Sequence, residues 1–333
     1  MKESGKITLL LRLNLGFSMI SGSKTQIKRG KIKKIIKLAA SFVLVGLTVT
    51  IVAYVPFYVE EKEKNLASIA VDAATSEFSQ WLEDFSRIAE GLSKIPVIRN
   101  GKISDITAFL SDYGRTAPKE IEKIVYIDKN GKGYYHTGEV FDLSDRVYFR
   151  SIMVDKSADR IVANPFAARS TGNLIMAIVY AVKDASDNVK GAVFVSINAE
   201  KLGEKTQKLR FSNDSYGWVI DGAGRIFAHN DESITSKMTI RSSPDFDFRG
   251  LAEHEREIVG ANKSGRFFYN DSRGRDRVVF YSPIGASPNW VYCVSIDKNF
   301  FRGNRAILLA ALIAVALFSF LTVLIVKDVD FKR

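Results

Sequence analysis

The chain has 333 residues, 46% of them hydrophobic, with 48 Lys and Arg against 37 Asp and Glu. This composition excludes a disordered chain, because it holds enough apolar side chains to build a sizeable core. A single cysteine, Cys293, excludes a disulfide framework. Three histidines, far apart in the sequence, leave no Cys/His zinc cluster, so we expect neither a metal site nor a cofactor.

Excess positive charge is confined to the start of the chain. Residues 1–37 carry ten Lys and Arg and one Glu, whereas residues 60–305 carry 35 basic and 34 acidic side chains. The basic start is typical of a tail that lies beside a membrane. The large middle segment is nearly neutral, which disfavours nucleic-acid binding because no basic surface is left for phosphates.

Two uncharged apolar runs, Leu38–Val59 and Ala306–Val326, are each long enough for a transmembrane helix of about 20 residues. The first is too long for the apolar core of a cleaved signal peptide. Basic residues next to a span stay in the cytoplasm, so residues 1–37 and the tail 327–333 are expected inside the cell. The sequence therefore predicts a two-pass protein of the inner (plasma) membrane with residues 60–305 outside the cytoplasm.

Between the spans, the first predicted element is a long helix. Apolar residues recur at steps of three and four from Leu66 to Ile95, and Pro96 ends the pattern. We expect a stalk over residues 60–100. Its apolar stripe fits both a helix packed on its own core and a dimerising stalk, and we expect a homodimer.

After a second short helix at Ser104–Tyr113, the apolar period changes to that of strands. Ile124–Asp128 and Tyr134–Thr137 flank a turn with two glycines, which predicts a hairpin. Three further runs predict strands: Arg160–Ala163, Asn173–Val182 and Val189–Asn198. A helix followed by antiparallel strands is typical of an α+β unit with one sheet.

A strand followed by Asp-x-x-Gly and another strand occurs twice, at Asp128–Gly131 and at Asp221–Gly224, 93 residues apart. The repeated hairpin indicates two modules in tandem. We place a membrane-distal module at residues 101–210 and a membrane-proximal module at residues 211–305. The predicted fold class is α+β, with a long N-terminal helix, two antiparallel sheets and a transmembrane helix on each side.

One stretch carries a family resemblance. Asp142–Arg150 reads Asp-Leu-Ser-Asp-Arg-Val-Tyr-Phe-Arg and is followed by Asn164-Pro165, Arg169–Gly172 and the strands Ile175–Val182 and Lys190–Ile197. This order resembles the double Cache family, the PAS-like tandem sensor modules of bacterial transmembrane receptors. The resemblance implies two PAS-like modules, a small extracellular ligand in the distal module, and a signal that passes through the second span.

The resemblance also implies a binding site. Amino-acid-binding members of the family use an arginine for the ligand carboxylate, several aromatic residues and a late aspartate for the ammonium group. The arginine falls on Arg146 and the aspartate on Ser196, which disfavours an α-amino acid and leaves an anionic ligand such as a small carboxylate. The predicted ligand-binding residues are Arg146, Tyr148, Phe149, Phe141, Tyr126, Arg169, Thr171 and Ser196.

Several of these residues have a purely structural alternative. Arg146 could pair with Asp142 or Asp145 and brace the loop, Tyr148 could belong to the core, and Thr171 could only shape a turn. The alternatives stay open at the level of sequence.

The sequence offers no nucleophile paired with a base and no Gly-x-Ser-x-Gly elbow, so we expect no enzyme and disfavour a membrane-tethered hydrolase. Only seven residues follow Val326, too few for an output domain. The leading interpretation is the sensor part of a chemoreceptor-like protein that lacks its output domain. It is either a truncated or split receptor or a sensor-only protein that signals through a separate cytoplasmic partner, and the sequence leaves both open. The alternatives are the sensor region of a diguanylate cyclase or histidine kinase, and an envelope scaffold without a small ligand.

Overall fold

The computed structural model describes residues 4–229, 234, 238–242 and 251–329. The chain divides into two compact units. Glu63–Phe300 form one, and the described residues among Met1–Lys62 and Phe301–Arg333 form the other. Two long helices each have residues in both units: α1, Ser4–Lys94, and α7, Lys298–Val329.

Among the described residues, one helical segment, within Phe42–Lys94, has the length and composition to cross a membrane. Its apolar side chains are exposed rather than packed, as for Phe42 and Leu47. The hydroxyls of Thr48 and Thr50 donate to carbonyls four residues earlier, which satisfies them without water. The helix α1 contains the whole of the first predicted span, Leu38–Val59.

The second predicted span, residues 306–326, lies within α7. A shorter apolar stretch, Leu308–Phe318, is found there. Most side chains from residue 319 onward, and residues 330–333 of the predicted tail, lie outside those that the structure describes. The second span therefore stays a prediction.

The larger unit is built along the second half of α1, which ends before Pro96 as the sequence predicts. A buried stripe on α1 packs into the unit: Val71, Phe78, Leu82, Phe85, Ala89 and Leu92. Two short helices follow, α2 at Pro96–Asn100 and α3 at Ile103–Thr116.

The first sheet has six antiparallel strands in the order β3-β2-β1-β6-β5-β4. Their bounds are β1 Ile121–Asp128, β2 Lys132–Tyr135, β3 Val140–Asp142, β4 Arg160–Ala167, β5 Leu174–Lys183 and β6 Val189–Asn198. A short helix, α4 at Val147–Phe149, and one π-helical turn, Arg150–Val154, connect β3 to β4 and cover one face of the sheet.

In the part of the chain that the structure describes, the second sheet has five antiparallel strands in the order β8-β7-β11-β10-β9. Their bounds are β7 Tyr216–Ile220, β8 Ile226–Ala228, β9 Gly265–Asn270, β10 Asp276–Pro283 and β11 Val291–Asp297. The helix α5, Ala199–Thr206, connects the sheets, and α6, Glu255–Ile258, precedes β9. The predicted fold class, a long helix followed by two antiparallel sheets, is confirmed.

Among the described residues, four hairpins have the same type of aspartate turn, and the sequence pattern indicated two of these turns. In each, Oδ1 of the aspartate accepts the N–H groups of the second and fourth residues after it, at 2.8 to 3.0 Å. The third residue after each aspartate has a positive φ of 64° to 86°. The turns begin at Asp128, Asp184, Asp221 and Asp271.

The two sheets are joined by specific hydrogen bonds. The indole Nε1 of the buried Trp290, just before β11, donates to Asn164 Oδ1 on β4 at 2.7 Å. Asn164 lies at an irregularity in the pairing of β4 with β5. Arg160, also on β4, donates to Ser86 on α1 at 2.8 Å and to the carbonyl of Ala286 at 3.4 Å. One strand of the first sheet therefore contacts both α1 and the second sheet.

Candidate functional site

A narrow cleft lies over the face of the first sheet that α4 covers. The space between its walls is about 260 Å³ with the open solvent at its mouth included, and the enclosed part, about 10 Å³, has room for about one water molecule. Its aromatic lining residues are Tyr135, Tyr148, Phe166 and Phe194, and its aliphatic ones are Leu143, Ala168 and Ile175. Its polar lining residues are Lys123, Arg146, Arg169, Ser170 and Ser196. A hollow lined by aromatic and aliphatic side chains with a few polar groups is the usual form of a small-molecule site.

The aromatic wall is centred on Tyr148. Its ring centroid lies 5.4 Å from that of Phe194 and 5.9 Å from that of Phe166. Burial raises the pKa of the Tyr148 phenol far above its usual range, although the nearby charge of Arg146 lowers it. The phenol therefore stays neutral and offers a hydroxyl rather than a negative charge.

Arg146 is the residue just before α4, with an extended backbone that points the helix over the sheet. Its guanidinium carbon lies 5.1 Å from the centroid of the Phe166 ring, and one terminal nitrogen is 3.4 Å from the Ala167 carbonyl. Its Nε is buried and has no hydrogen-bond partner. Among the described residues, no carboxylate forms a salt bridge with it.

The bracing role that the sequence left open for Arg146 belongs to Arg169. The Arg169 guanidinium pairs with the Asp145 carboxylate and donates to the Asp142 carbonyl at 2.7 Å. These contacts tie the loop after β4 to the loop after β3. Arg146 is left without an ionic partner on that loop.

Ser196 is engaged within the sheet. The pairing of β1 with β6 shifts between Ile121, opposite Ile197, and Lys123, opposite Ser196. The Lys123 N–H donates to Ser196 Oγ at 3.0 Å, and that hydroxyl lies 3.4 Å from the Lys123 carbonyl. The serine hydroxyl thus takes the place of a backbone partner at a β-bulge.

The cationic group of Lys123 is also satisfied within the protein. Its Nζ lies 3.2 Å from Glu139 Oε1 and 2.8 Å from Thr137 Oγ1. Hydrogen bonds from Thr137 and Lys123 lower the pKa of Glu139, which is therefore ionised at neutral pH. The Lys123–Glu139 pair is neutral overall.

Glu122, the residue between the two registers of β1, was not among the predicted site residues. Its Oε1 accepts a hydrogen bond from Thr171 Oγ1 at 2.8 Å and lies 3.4 Å from Asn173 Nδ2. Its Oε2 is buried and has no hydrogen-bond partner. Thr171 therefore joins the rim of the cleft to β1 and does more than shape a turn.

The structure brings most of the predicted residues together. Four line the cleft: Arg146, Tyr148, Arg169 and Ser196. Phe141 and Phe149 pack on the core beside it, with the Phe141 ring 5.3 Å from that of Tyr135. Thr171 lies at the rim, bound to Glu122.

Tyr126 is not brought to the cleft. Its strand neighbours Val125 and Ile127 belong to the core under the cleft, and side chains alternate along a strand, so Tyr126 faces the other side of the sheet. There its hydroxyl lies so close to Gly191 that a Cβ at that position would be 2.7 Å away.

Sequence reasoning missed Lys123, Glu122, Phe166 and Phe194. Phe194 was accessible from the pattern, because it lies two residues before Ser196 on one strand and therefore on the same face. Among the described residues, no group of three His, Cys, Asp or Glu side chains could hold a metal ion.

One long helix carries two antiparallel sheets, with a cleft in the first, which is the architecture expected of two PAS-like modules in tandem. The double Cache family model, described as a Cache domain, matches residues 58–304. The chain therefore belongs to the Cache domain family, and this domain with its apolar N-terminal helix indicates a membrane-anchored receptor with an extracytoplasmic domain.

Individual proteins agree with the family match. Methyl-accepting chemotaxis protein PscA of Pseudomonas syringae pv. tomato is 22% identical over 141 residues, which are 42% of this chain and 20% of that protein. The chain thus matches about a fifth of the length of this curated relative.

Solved structures share the fold. The ligand-binding domain of Pseudomonas fluorescens chemoreceptor CtaA with L-isoleucine has a TM-score of 0.60 at 17% identity, covering 75% of this chain and 98% of that one. That of Pseudomonas aeruginosa amino-acid chemoreceptor PctC with GABA has a TM-score of 0.55 at 18% identity, covering 71% and 100%.

Proposed function

We propose that the protein is a two-pass membrane sensor whose distal module binds a small carboxylate-bearing molecule outside the cytoplasm. The signal passes through the second span towards the cytoplasm. The protein acts as a homodimer, and residues 60–305 bind the ligand without converting it.

The observation that carries this proposal is the unpaired guanidinium of Arg146. An arginine presents five N–H donors in a planar fork that fits a carboxylate with two parallel hydrogen bonds. Here one donor approaches a backbone carbonyl, the Nε is buried without a partner, and Asp145 is taken by Arg169. A ligand carboxylate supplies the missing acceptor.

The surroundings of Arg146 strengthen such a contact. The buried rings of Tyr148 and Phe194 line the same cleft as Arg146, and a charged hydrogen bond is stronger beside buried apolar groups than in water. L-isoleucine with CtaA and GABA with PctC each contain a carboxylate group, which agrees with an arginine-centred site.

Two features support transmission and dimerisation. The strand β11 of the second sheet continues without a loop into α7, which contains the second predicted span. A displacement of the second sheet would therefore move that helix directly. Leu66 and Ile69 are exposed one turn apart on α1, where a second copy would cover them.

A ligand screen tests the proposal. The purified full chain in detergent is melted with and without pyruvate, succinate, citrate, L-serine, L-isoleucine or GABA. A ligand at 100 times its Kd stabilises a protein by about 2.7 kcal/mol, or about 5 to 10 °C in Tm for a unit of this size.

The site is tested with Arg146→Ala beside the matched control Arg115→Ala, an arginine on the exposed side of α3. We expect Arg146→Ala to weaken binding by about 10- to 100-fold, the value of a charged hydrogen bond, and Arg115→Ala to bind as the wild type does. No shift with any of the six probes, or equal binding by Arg146→Ala, would contradict the proposal. The first result would favour an envelope scaffold.

A further inference from the structure

The cleft of the first sheet is closed too tightly for the ligand proposed above. Its enclosed part has room for about one water molecule. Even pyruvate, the smallest probe of the screen, has several non-hydrogen atoms where water has one. A ligand can therefore lie inside the cleft only when the walls of the cleft have moved apart.

Two loops of the first module contribute to these walls. The loop between β3 and α4 provides Leu143 and Arg146, and residues 168–173, the tip of the β4–β5 hairpin, provide three more lining residues. The Ala168 N–H donates to the Asn173 carbonyl at 2.8 Å, which closes the hairpin tip as a compact turn. The position of the tip relative to the β3–α4 loop then depends on the contacts that its side chains make.

One ion pair joins the hairpin tip to the β3–α4 loop. The guanidinium of Arg169 on the tip binds the carboxylate of Asp145 on the loop, and it also donates to the Asp142 carbonyl at 2.7 Å. Both partners are accessible, since the exposed fraction is 33% for the Arg169 side chain and 61% for that of Asp145.

The other contacts of this region are weaker or lie elsewhere. Among the described residues, the β3–α4 loop has one further hydrogen bond to the end of β4 or to the hairpin tip, the long 3.4 Å contact from Arg146 to the Ala167 carbonyl. The tip is also bound through Thr171, but to Glu122 on β1 and not to the loop. Opening the cleft between the two loops therefore depends chiefly on the pair of Asp145 and Arg169.

We infer that the Asp145–Arg169 pair is a latch that holds the cleft shut in the free protein, and that ligand binding breaks it. The inference rests on the proposed carboxylate site. Asp145 presents to Arg169 the same chemical group that the ligand brings, so it competes with the ligand for a cationic side chain of the cleft. Because the shut cleft has no room for the ligand, the pair stays broken in the complex, and its free energy opposes binding.

The exposure of the pair sets the size of the effect. A partly exposed ion pair shifts an equilibrium by about 2- to 5-fold. When the binding-competent form is the minor one, the apparent Kd is the intrinsic Kd divided by the fraction of that form. Removing the latch should therefore raise the affinity by about 2- to 5-fold, and the association rate constant by the same factor.

The test uses two variants of the latch and one matched control. Asp145→Asn removes the charge at nearly constant shape, and Asp145→Ala removes the acceptor altogether. The control is Asp142→Asn, which deletes the same charge three residues away. Asp142 bonds Arg169 through its backbone carbonyl, while its carboxylate accepts the Ser144 N–H at 2.9 Å, so the control separates the latch from a general loss of negative charge near the cleft.

Binding of pyruvate, succinate, citrate, L-serine, L-isoleucine and GABA is measured by calorimetry and stopped-flow fluorescence on the full chain in detergent. Both Asp145 variants should bind the probes about 2- to 5-fold more tightly than the wild type and associate faster by the same factor, and Asp142→Asn should match the wild type. Without ligand, amide hydrogen exchange of residues 168–173 should be faster in both Asp145 variants than in the control.

The result that would overturn the inference differs from failure of the proposed function. If both Asp145 variants bind the probes no more tightly than Asp142→Asn, the latch is refuted and the carboxylate site stands. If none of the four proteins binds any probe, the proposed function fails. Hydrogen exchange then still tests the latch: faster exchange in the Asp145 variants alone supports it, and equal exchange in all four proteins refutes it.

Discussion

Replacing Trp290 with phenylalanine tests the contact that joins the two sheets. The indole is fully buried, its ring centroid lies 4.9 Å from that of Phe227, and its Nε1 donates to Asn164 Oδ1 at 2.7 Å. Phenylalanine keeps an aromatic ring at this position and removes the N–H. The substitution therefore acts mainly on one hydrogen bond between the modules.

The structure sets the expected magnitude. A neutral hydrogen bond contributes about 1 kcal/mol net, and leaving its buried acceptor without a donor costs about 1 to 3 kcal/mol. We expect Trp290→Phe to lower the free energy of unfolding by about 2 to 4 kcal/mol, because the smaller ring also loses packing. In a double-mutant cycle with Asn164→Ala, the coupling energy should be about 1 kcal/mol.

The assay is denaturant unfolding of the full chain in detergent for the wild type, both single variants and the double variant. Asn130→Ala, in the exposed β1–β2 turn, is the matched control and should be additive with Trp290→Phe. A coupling energy of zero between positions 164 and 290 would refute the claim that this hydrogen bond joins the modules.

The contact also has a functional meaning. Phe166 of the cleft lies two residues after Asn164 on β4, and Trp290 directly precedes β11, which leads into α7. A ligand that binds two arrangements of β4 with different affinity would change the populations of these arrangements. This hydrogen bond would then transmit the change to the second sheet.

Three further predictions concern stability and topology. Asp271→Asn should cost about 3 to 5 kcal/mol in denaturant unfolding, because two arginines share this buried carboxylate. Burial raises the pKa of Asp271, but the hydrogen bonds from those arginines outweigh this effect, so the pKa is lowered overall. The ionised Asp271 therefore stabilises the fold above pH 3.8, and this stabilisation is lost as the pH falls through the lowered pKa. In Asp271→Asn, this acid-dependent loss of stability should be absent. Gly131→Ala should lower the Tm more than Gly138→Ala. Both glycines have a positive φ, but of the two only Gly131 has a close neighbour: a Cβ there would lie 2.5 Å from Ser144 Cβ. Equal losses of Tm would contradict this reasoning. In intact cells, a membrane-impermeant maleimide should label Lys129→Cys and leave the wild type unlabelled, because Cys293 is fully buried; an unlabelled Lys129→Cys would contradict an extracytoplasmic module.

The hairpins were predictable wherever local chemistry determines them. Asp128 and Asp221 signal their turns through a glycine three residues later, at the position that needs a positive φ. Asp271 has the same spacing to Gly274 and was overlooked. The turn at Asp184 has Asp187 at that position, with a φ of 64°, so the glycine signal is absent although the hydrogen bonds are the same.

The cleft was predictable only in outline. The family resemblance led to Arg146 and Ser196, but the sequence does not show that Asp145 pairs with Arg169, since that pairing joins loops 24 residues apart. The faces occupied by Tyr126 and Glu122 follow from the register of β1 against β6 and its bulge. A register is a long-range property that no local pattern determines.

The most direct test of the central claim is a structure of the full chain bound to the tightest ligand found in the screen. We predict that the ligand carboxylate lies about 2.7 to 2.9 Å from the guanidinium nitrogens of Arg146, within the aromatic cleft of the first sheet. A ligand ordered at another place, or one whose carboxylate points away from Arg146, would contradict the account.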